Sequence, residues 1–340
     1  MNKFKTIFFG TPEFSVAFLQ ALIKTPFLDV VAVITEPDRP KGRGKVMCES
    51  PVAQYYNSNL QMYPNASNSN KIHRFAPSFA KASVGKQNDK KIIILKPSKI
   101  VNCKLKIENL RPDVAVVVAY GQIIPQEILD IPKFKVINVH PSDLPKYRGP
   151  SPIQTALLNG EKQSMISIMK MDEKMDHGPI IDKLPINIDI NDNYQSLEEK
   201  ILQKGPEFLI KTINTYLNYC SMSEATKTKD RSSRSGSNNM MKTQDHTKAT
   251  FSKMIKKEDG LIDWNKSPFE IHNKIRAYSA WPKAYTFIGN KRLNILKSEF
   301  SDNKLVLKIV QLEGKKPVLW NDFNNGYAKI IPKEILDKLK

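Results

Sequence analysis

The chain has 340 residues, 40% hydrophobic and 26% charged, the composition of a soluble globular protein with room for two domains. Its longest apolar runs, such as VAVVVAY at 114–120, are far too short to cross a bilayer, and its three scattered cysteines, Cys48, Cys103 and Cys220, carry no disulfide or metal spacing and point to a reducing cytoplasm. The net charge of +19 fits either a generally Lys-rich composition or a polyanionic partner, and residues 246–340 alone hold 19 Lys and Arg against 10 Asp and Glu.

The opening MNKFKTIFFGTPEF has a short apolar run followed by Gly and Pro, so it reads as a strand over 5–9 and not as a signal peptide. Thr11 and Pro12 then have the pattern of an N-cap followed by Pro at the first helical position. The helix continues through PEFSVAFLQALIK, with Phe14, Ala17, Phe18, Ala21 and Leu22 on one face. Further strands are expected at 29–34, 91–95, 113–119 and 135–139. All are near-continuous apolar runs, as strands covered on both faces are, and their alternation with helices predicts an α/β fold with a doubly wound, mostly parallel sheet. Such sheets bind ligands beyond the carboxyl ends of their strands. Residues 57–91 are polar and aperiodic and read as a loop insertion. A helix is expected at 195–217, a Ser-, Lys- and Asn-rich linker at 221–248, a helix at 268–277, and β runs at 283–288, 292–300 and 304–310. The domain plan is therefore a catalytic domain over 1–220, the linker, and a small, shortened β-barrel-like domain over 249–340.

Residues 136–153, VINVHPSDLPKYRGPSPI, hold two polar side chains at a strand end. Asn138 and His140 are two residues apart, so they project from the same face. On the strand–loop–strand stretch 164–186, the loop carries Asp172 and Asp176. A carboxylate beside a His orients it and raises its pKa, and Asn and His donors together stabilise an oxyanion. That set suits acyl transfer to an amine without a Ser or Cys nucleophile; the residues do not choose between Asp172 and Asp176. A satisfied Asn–His pair is the structural alternative. In residues 34–52, Arg39, Lys41, Arg43 and Lys45 alternate with Pro40, Gly42 and Gly44, a pattern that suits phosphates but by itself reads first as a solvated charged loop. GRGK lacks the spacing of a phosphate-binding P-loop, and Gly10 lies outside any G-x-G-x-x-G fingerprint, which argues against a dinucleotide. Tyr278, Trp281, Tyr285 and Phe287 could pack in a core or stack on nucleotides.

Asn138-x-His140, the following SDLPKYRGPSPI and the later MDHGPI resemble the folate-dependent formyltransferase superfamily. FFGTPEFSV (8–16), ITEPDRPKGRGKVMCESPV (34–52), VVVAYGQIIP (116–125), GLIDW (260–264) and IRAYSAWPKAY (275–285) narrow the resemblance to the branch that formylates methionyl initiator tRNA. The resemblance implies a Rossmann-like formyltransferase fold, catalytic Asn138, His140 and Asp176, and 10-formyltetrahydrofolate as co-substrate without a metal. It implies folate contacts from Tyr120, Gly121, Gln122 and Ile124 and from Ser142, Asp143, Leu144 and Pro145; Asp143 stands where the family usually has Leu. It also implies a tRNA-binding loop of Arg39, Lys41, Arg43 and Lys45, with Arg43 at the contacting position, a C-terminal domain that helps hold tRNA, and a monomer with no membrane partner. Other classes remain open: the same chemistry on a purine-pathway ribonucleotide or a nucleotide sugar, a non-catalytic RNA-binding relative, and, against the missing glycine fingerprint, a hydride-transferring enzyme.

Overall fold

The computed structural model describes residues 3–42, 44–60, 92–227, 240–327 and 329–339. The chain divides into two compact units, Met1–Lys133 and Phe134–Lys340. The insertion expected at 57–91 begins as helix; its residues 61–91 lie outside the described residues.

The first unit starts with β1 (Phe4–Gly10), α1 (Glu13–Lys24) and β2 (Leu28–Ile34), followed by the hairpin strands β3 (Arg39–Lys41) and β4 (Val46–Cys48). Then come α2 (Pro51–Asn59), β5 (Ile93–Leu95), α3 (Lys104–Leu110), β6 (Val114–Val118) and the short α4 (Gln126–Leu129). Strands β5, β2, β1 and β6 lie in that order and pair in parallel, as their continuous apolar sequences imply. Ile7 and Phe8 of β1, and Val114, Val116 and Val118 of β6, are wholly buried. Thr11 is not the N-cap: Pro12 occupies that position, and the Thr11 hydroxyl donates to the Tyr120 carbonyl at 2.6 Å. That bond ties the turn after β1 to the turn after β6, and the local cap pattern loses to it. Ser50 caps α2 by accepting from the Ala53 amide at 3.1 Å. The basic loop is an antiparallel hairpin, with Gly42 and Lys45 in left-handed backbone conformations.

The second unit contains β7 (Val136–His140), α5 (Pro152–Leu158), β8 (Gln163–Lys170), β9 (Ile180–Asn187) and α6 (Tyr194–Lys227). Strand β7 pairs antiparallel with β8 across the connection that carries α5. Strand β8 pairs antiparallel with β9 because the short loop carrying Asp172 and Asp176 makes a hairpin and leaves no length for a crossover. Helix α6 runs on to Lys227, into the stretch expected as linker, since no Gly or Pro interrupts residues 207–227. Residues 240–252 are also ordered, and residues 228–239 lie outside the described residues.

Helix α7 (Pro268–Ala277) begins with a capping box in which Ser267 and Glu270 exchange hydrogen bonds, and Pro268 takes the first helical position. Strands β10 (Ala284–Ile288), β11 (Lys291–Ser301), β12 (Lys304–Leu312) and β13 (Val318–Leu319) form an antiparallel sheet in sequence order. After β13 the chain turns into α8 (Trp320–Tyr327) and α9 (Lys333–Lys338). Trp320, Phe323 and Ile335 from these helices fill the sheet's core alongside Ile275, Leu293 and Leu307. Helix α7 joins this sheet to the rest of the unit. The buried His272 bridges Ser298 Oγ and the Ile190 carbonyl, each at 2.9 Å. The buried Arg276 guanidinium donates to the carbonyls of Asp189 and Asp192 at 3.2 Å and of Leu157 at 3.4 Å. Among the described residues, no helix is long and apolar enough to cross a membrane.

Candidate active site

The carboxyl end of β7 carries the candidate site. Asn138 and His140 share one face of the strand, as the two-residue period requires, and both are more than nine-tenths buried. Asp176 comes to them from the β8–β9 loop. Its Oδ1 accepts from Asn138 Nδ2 at 3.4 Å, and its Oδ2 stands 3.7 Å from His140 Nδ1. Oδ2 also accepts the Gly149 amide at 2.7 Å. The geometry thus separates the two candidate carboxylates. Asp172 turns to His177, whose Nδ1 lies 2.7 Å from its Oδ2.

The tautomer of His140 is set from its other side. Nε2 lies 3.0 Å from the Tyr147 carbonyl, which can only accept, so Nε2 carries a proton and Nδ1 faces the carboxylate. Tyr147 itself sits at φ 61°, a left-handed conformation that turns its carbonyl toward the imidazole. Asp176 is left-handed too, at φ 49°. Two residues on, a Cβ on Gly178 would lie 1.9 Å from the Lys170 carbonyl oxygen, so only glycine lets the loop close onto the end of β8.

Sequence reasoning missed the partners that hold this loop. Gln244, inside the expected linker, donates Nε2 to the carbonyls of Asp176 at 2.9 Å and Gly178 at 2.7 Å. Its Oε1 accepts from Arg148 Nη2 at 2.7 Å and Nε at 3.2 Å. Burial lowers the Arg148 pKa, opposed by the charges of Asp176 and Asp172. Nothing in the linear pattern marks Gln244, because a single Gln in a polar stretch has no period or spacing to signal it.

Of the residues expected to hold folate, Ser142 is fully buried and its hydroxyl donates to the Lys146 carbonyl at 2.6 Å. Leu144 packs with Met169 and Ile180, and Pro145 accepts the Thr250 amide at 3.2 Å through its carbonyl. Asp143 is paired with Lys183 Nζ at 2.6 Å. In the first unit, Gly121 has φ 95°, a Cβ there would lie 3.0 Å from the Glu36 carboxylate carbon, and Ile124 is buried. Gln122 braces the backbone, bonding the Pro97 carbonyl at 3.0 Å and the Ile100 amide at 3.1 Å. Tyr120 is buried, and its hydroxyl is left without a hydrogen-bond partner among the described residues; burial raises its pKa.

In the basic hairpin, Arg39 Nη2 pairs with Glu36 Oε1 at 2.7 Å, Lys45 is exposed, Lys41 is the last residue of β3, and Arg43 lies outside the described residues. The C-terminal aromatic group divides: Tyr278 and Tyr285 are buried, whereas Trp281 and Phe287 are 54% and 50% exposed. Among the described residues, no three His, Cys, Asp or Glu side chains converge in a way that could hold a metal ion.

A formyl transferase family model matches residues 3–213, and a formyl transferase C-terminal domain model matches residues 254–305. The chain belongs to the formyltransferase family. It is similar to a methionyl-tRNA formyltransferase of Sulfurihydrogenibium sp., 34% identical, with 95% of this chain and 97% of that protein covered. It is equally similar to the methionyl-tRNA formyltransferase of Geotalea uraniireducens, 34% identical with 99% of each covered. Among solved structures, an N-formyltransferase from Helicobacter canadensis in complex with folinic acid and dTDP-3-aminofucose shares the fold, with a TM-score of 0.57 and 21% identity over 94% of this chain and 99% of that one. Within this formyltransferase, the Asn138–His140–Asp176 group lies inside residues 3–213, the region that the formyl transferase model matches.

Proposed function

We propose that this formyltransferase moves the formyl group of 10-formyltetrahydrofolate to the α-amine of methionine on initiator tRNA, supporting translation initiation. The observation that carries the chemistry is the convergence of Asn138 Nδ2 and His140 Nδ1 on the Asp176 carboxylate. The acceptor is supported by full-length similarity to methionyl-tRNA formyltransferases.

The folate, when bound, supplies an activated formyl carbon on its N10. The chain's own groups then divide the work. Asn138 Nδ2–H and a protonated His140 Nδ1–H are donors for the charge that develops on the formyl oxygen as the amine attacks. Asp176 takes the proton that the attacking amine releases. His140 returns a proton to the departing nitrogen, so the reaction begins and ends with the same number of protons on the site. Burial of Asn138 and His140 excludes water and strengthens these interactions.

Folate contacts are assigned to Tyr120, Gly121, Gln122 and Ile124 on the strength of the family resemblance, and likewise to the 142–145 loop. Gln122 and Ser142 serve by shaping backbone, since their side-chain groups are already bonded. The hairpin cations Arg39, Lys41, Arg43 and Lys45 would meet tRNA phosphates, giving a salt-dependent affinity.

The test is formyl transfer from 10-formyltetrahydrofolate to methionyl initiator tRNA by wild type, His140→Ala and Asp176→Ala. Activity that collapses in both variants supports the assignment. Transfer to another amine but not to tRNA keeps the chemistry and sinks the acceptor. Full activity of Asp176→Ala removes Asp176 from the site.

A further inference from the structure

Residues 242–252 form a strap that crosses the loops on either side of the candidate site. At one end Lys242 and Ile180 exchange backbone hydrogen bonds at 2.8 Å. At the other, the Thr250 carbonyl accepts the Arg148 amide at 2.9 Å, the Ser252 amide donates to the Arg148 carbonyl at 2.7 Å, and Thr250 Oγ1 accepts the Tyr147 amide at 2.9 Å. Gln244 lies between these ends and is 5% exposed. Its amide is fully used: both Nε2 hydrogens go to the Asp176 and Gly178 carbonyls, and Oε1 takes two bonds from Arg148. Arg148 is fixed in turn by His246, whose Nδ1 lies 2.9 Å from Nη2 and must therefore accept.

Asp176 needs such support. Its φ of 49° is a left-handed conformation that persists only if the surroundings hold it. Two contacts do so, from opposite ends of the residue. Gln244 grips the backbone carbonyl, and the Gly149 amide, next in sequence to Arg148, grips the carboxylate. The same Gln–Arg pair thus couples the 176–178 turn to the 147–149 turn, which carries the Tyr147 carbonyl facing His140.

We propose that Gln244, anchored by Arg148, is a positioning residue for formyl transfer, holding the Asp176 turn so that its carboxylate meets Asn138 and His140. The inference rests on the role given above to Asp176. Gln244 touches neither substrate nor reacting atoms in this scheme; its effect passes through Asp176.

The experiment is a cycle of wild type, Gln244→Ala, Asp176→Asn and the double variant. Single-turnover formyl transfer to methionyl initiator tRNA with enzyme in excess reads slow rates, and steady-state assays give kcat and KM. A small misplacement of a reacting group costs up to ~10²-fold, so Gln244→Ala is expected to lower kcat ~10- to 100-fold with both KM values within about twofold of wild type. In the Asp176→Asn background the same substitution should change the rate by less than about twofold, because the group it positions is already disabled. Gln244→Glu keeps the acceptor for Arg148 and loses both donors. It should fold, by circular dichroism, and show the same kcat loss, which covers the case in which Gln244→Ala does not fold. Equal losses in both backgrounds, a loss carried by KM, or wild-type kcat in Gln244→Glu overturns the inference. Wild-type kcat in Asp176→Asn overturns instead the role of Asp176 beneath it.

Discussion

His140 Nδ1 stands 3.7 Å from Asp176 Oδ2, beyond hydrogen-bonding distance, while Nε2 of the same ring lies 3.0 Å from the Tyr147 carbonyl. The imidazole is therefore oriented by backbone, and the carboxylate faces the ring nitrogen that remains free to gain or lose a proton. This departs from the simplest expectation for such a pair, in which the carboxylate itself holds the tautomer. It leaves Asp176 available to the incoming amine.

Asn138 should behave as a donor to developing charge and not as a binding residue. Asn138→Ala is expected to lower kcat by about 10²–10³ with little change in either KM, the usual cost of removing one such donor. Asn138→Asp should be at least as damaging, since it places a second carboxylate against Asp176. Steady-state kinetics decide the matter: a loss expressed mainly in KM would argue against the role.

Gly178 has no room for a side chain. Gly178→Ala would press a Cβ to within 1.9 Å of the Lys170 carbonyl oxygen, a backbone atom at the end of β8. Overpacking of this kind costs about 1–3 kcal/mol, read as a lower urea midpoint with unchanged slope. Formyl transfer should fall further than stability does, because the loop that shifts carries Asp176. A variant with wild-type midpoint and activity would show that the turn relaxes freely.

His272 should make the second unit sensitive to acid. Burial, with a contribution from Arg276, lowers its pKa below the ordinary histidine value near 6.5, while the Ile190 carbonyl and Glu299 oppose the shift. A base with a depressed folded pKa leaves the unfolded chain to bind the proton first, so its contribution is complete above about pH 6.5 and is lost as pH falls below that value. The melting temperature of wild type should drop more between pH 7.5 and 5.5 than that of His272→Gln, which can still donate to the Ile190 carbonyl. Parallel curves for the two proteins would refute the assignment.

The Asp143–Lys183 pair is partly open to solvent, at 45% and 30% side-chain exposure, and such pairs contribute about 0–1 kcal/mol. Asp143→Leu, which places here the residue that the family resemblance leads one to expect, should therefore leave the denaturation midpoint within about 1 kcal/mol of wild type. A larger loss would mean that Lys183, which also donates to the Leu144 carbonyl, depends on Asp143 to shape the loop.

The strands and helices of this chain were written locally. Continuous apolar runs marked β1, β2, β5, β6 and β7, the helix expected at 268–277 matches α7, and the two-residue period placed Asn138 and His140 on one face. These signals come from burial and hydrogen bonding within a few residues, which is why a single sequence carries them. The choice of Asp176 over Asp172, the antiparallel β7–β8 pairing and the engagement of Gln244 were decided only by the fold. Each depends on contacts between distant residues: Gly149 with Asp176 across 27 positions, Asn138 with Asp176 across 38, and Gln244 with Asp176 and Arg148 across 68 and 96. Such separations leave no periodic trace in a sequence, because the energy that selects the partner comes from closing the loops and pairing buried polar groups once the chain has folded.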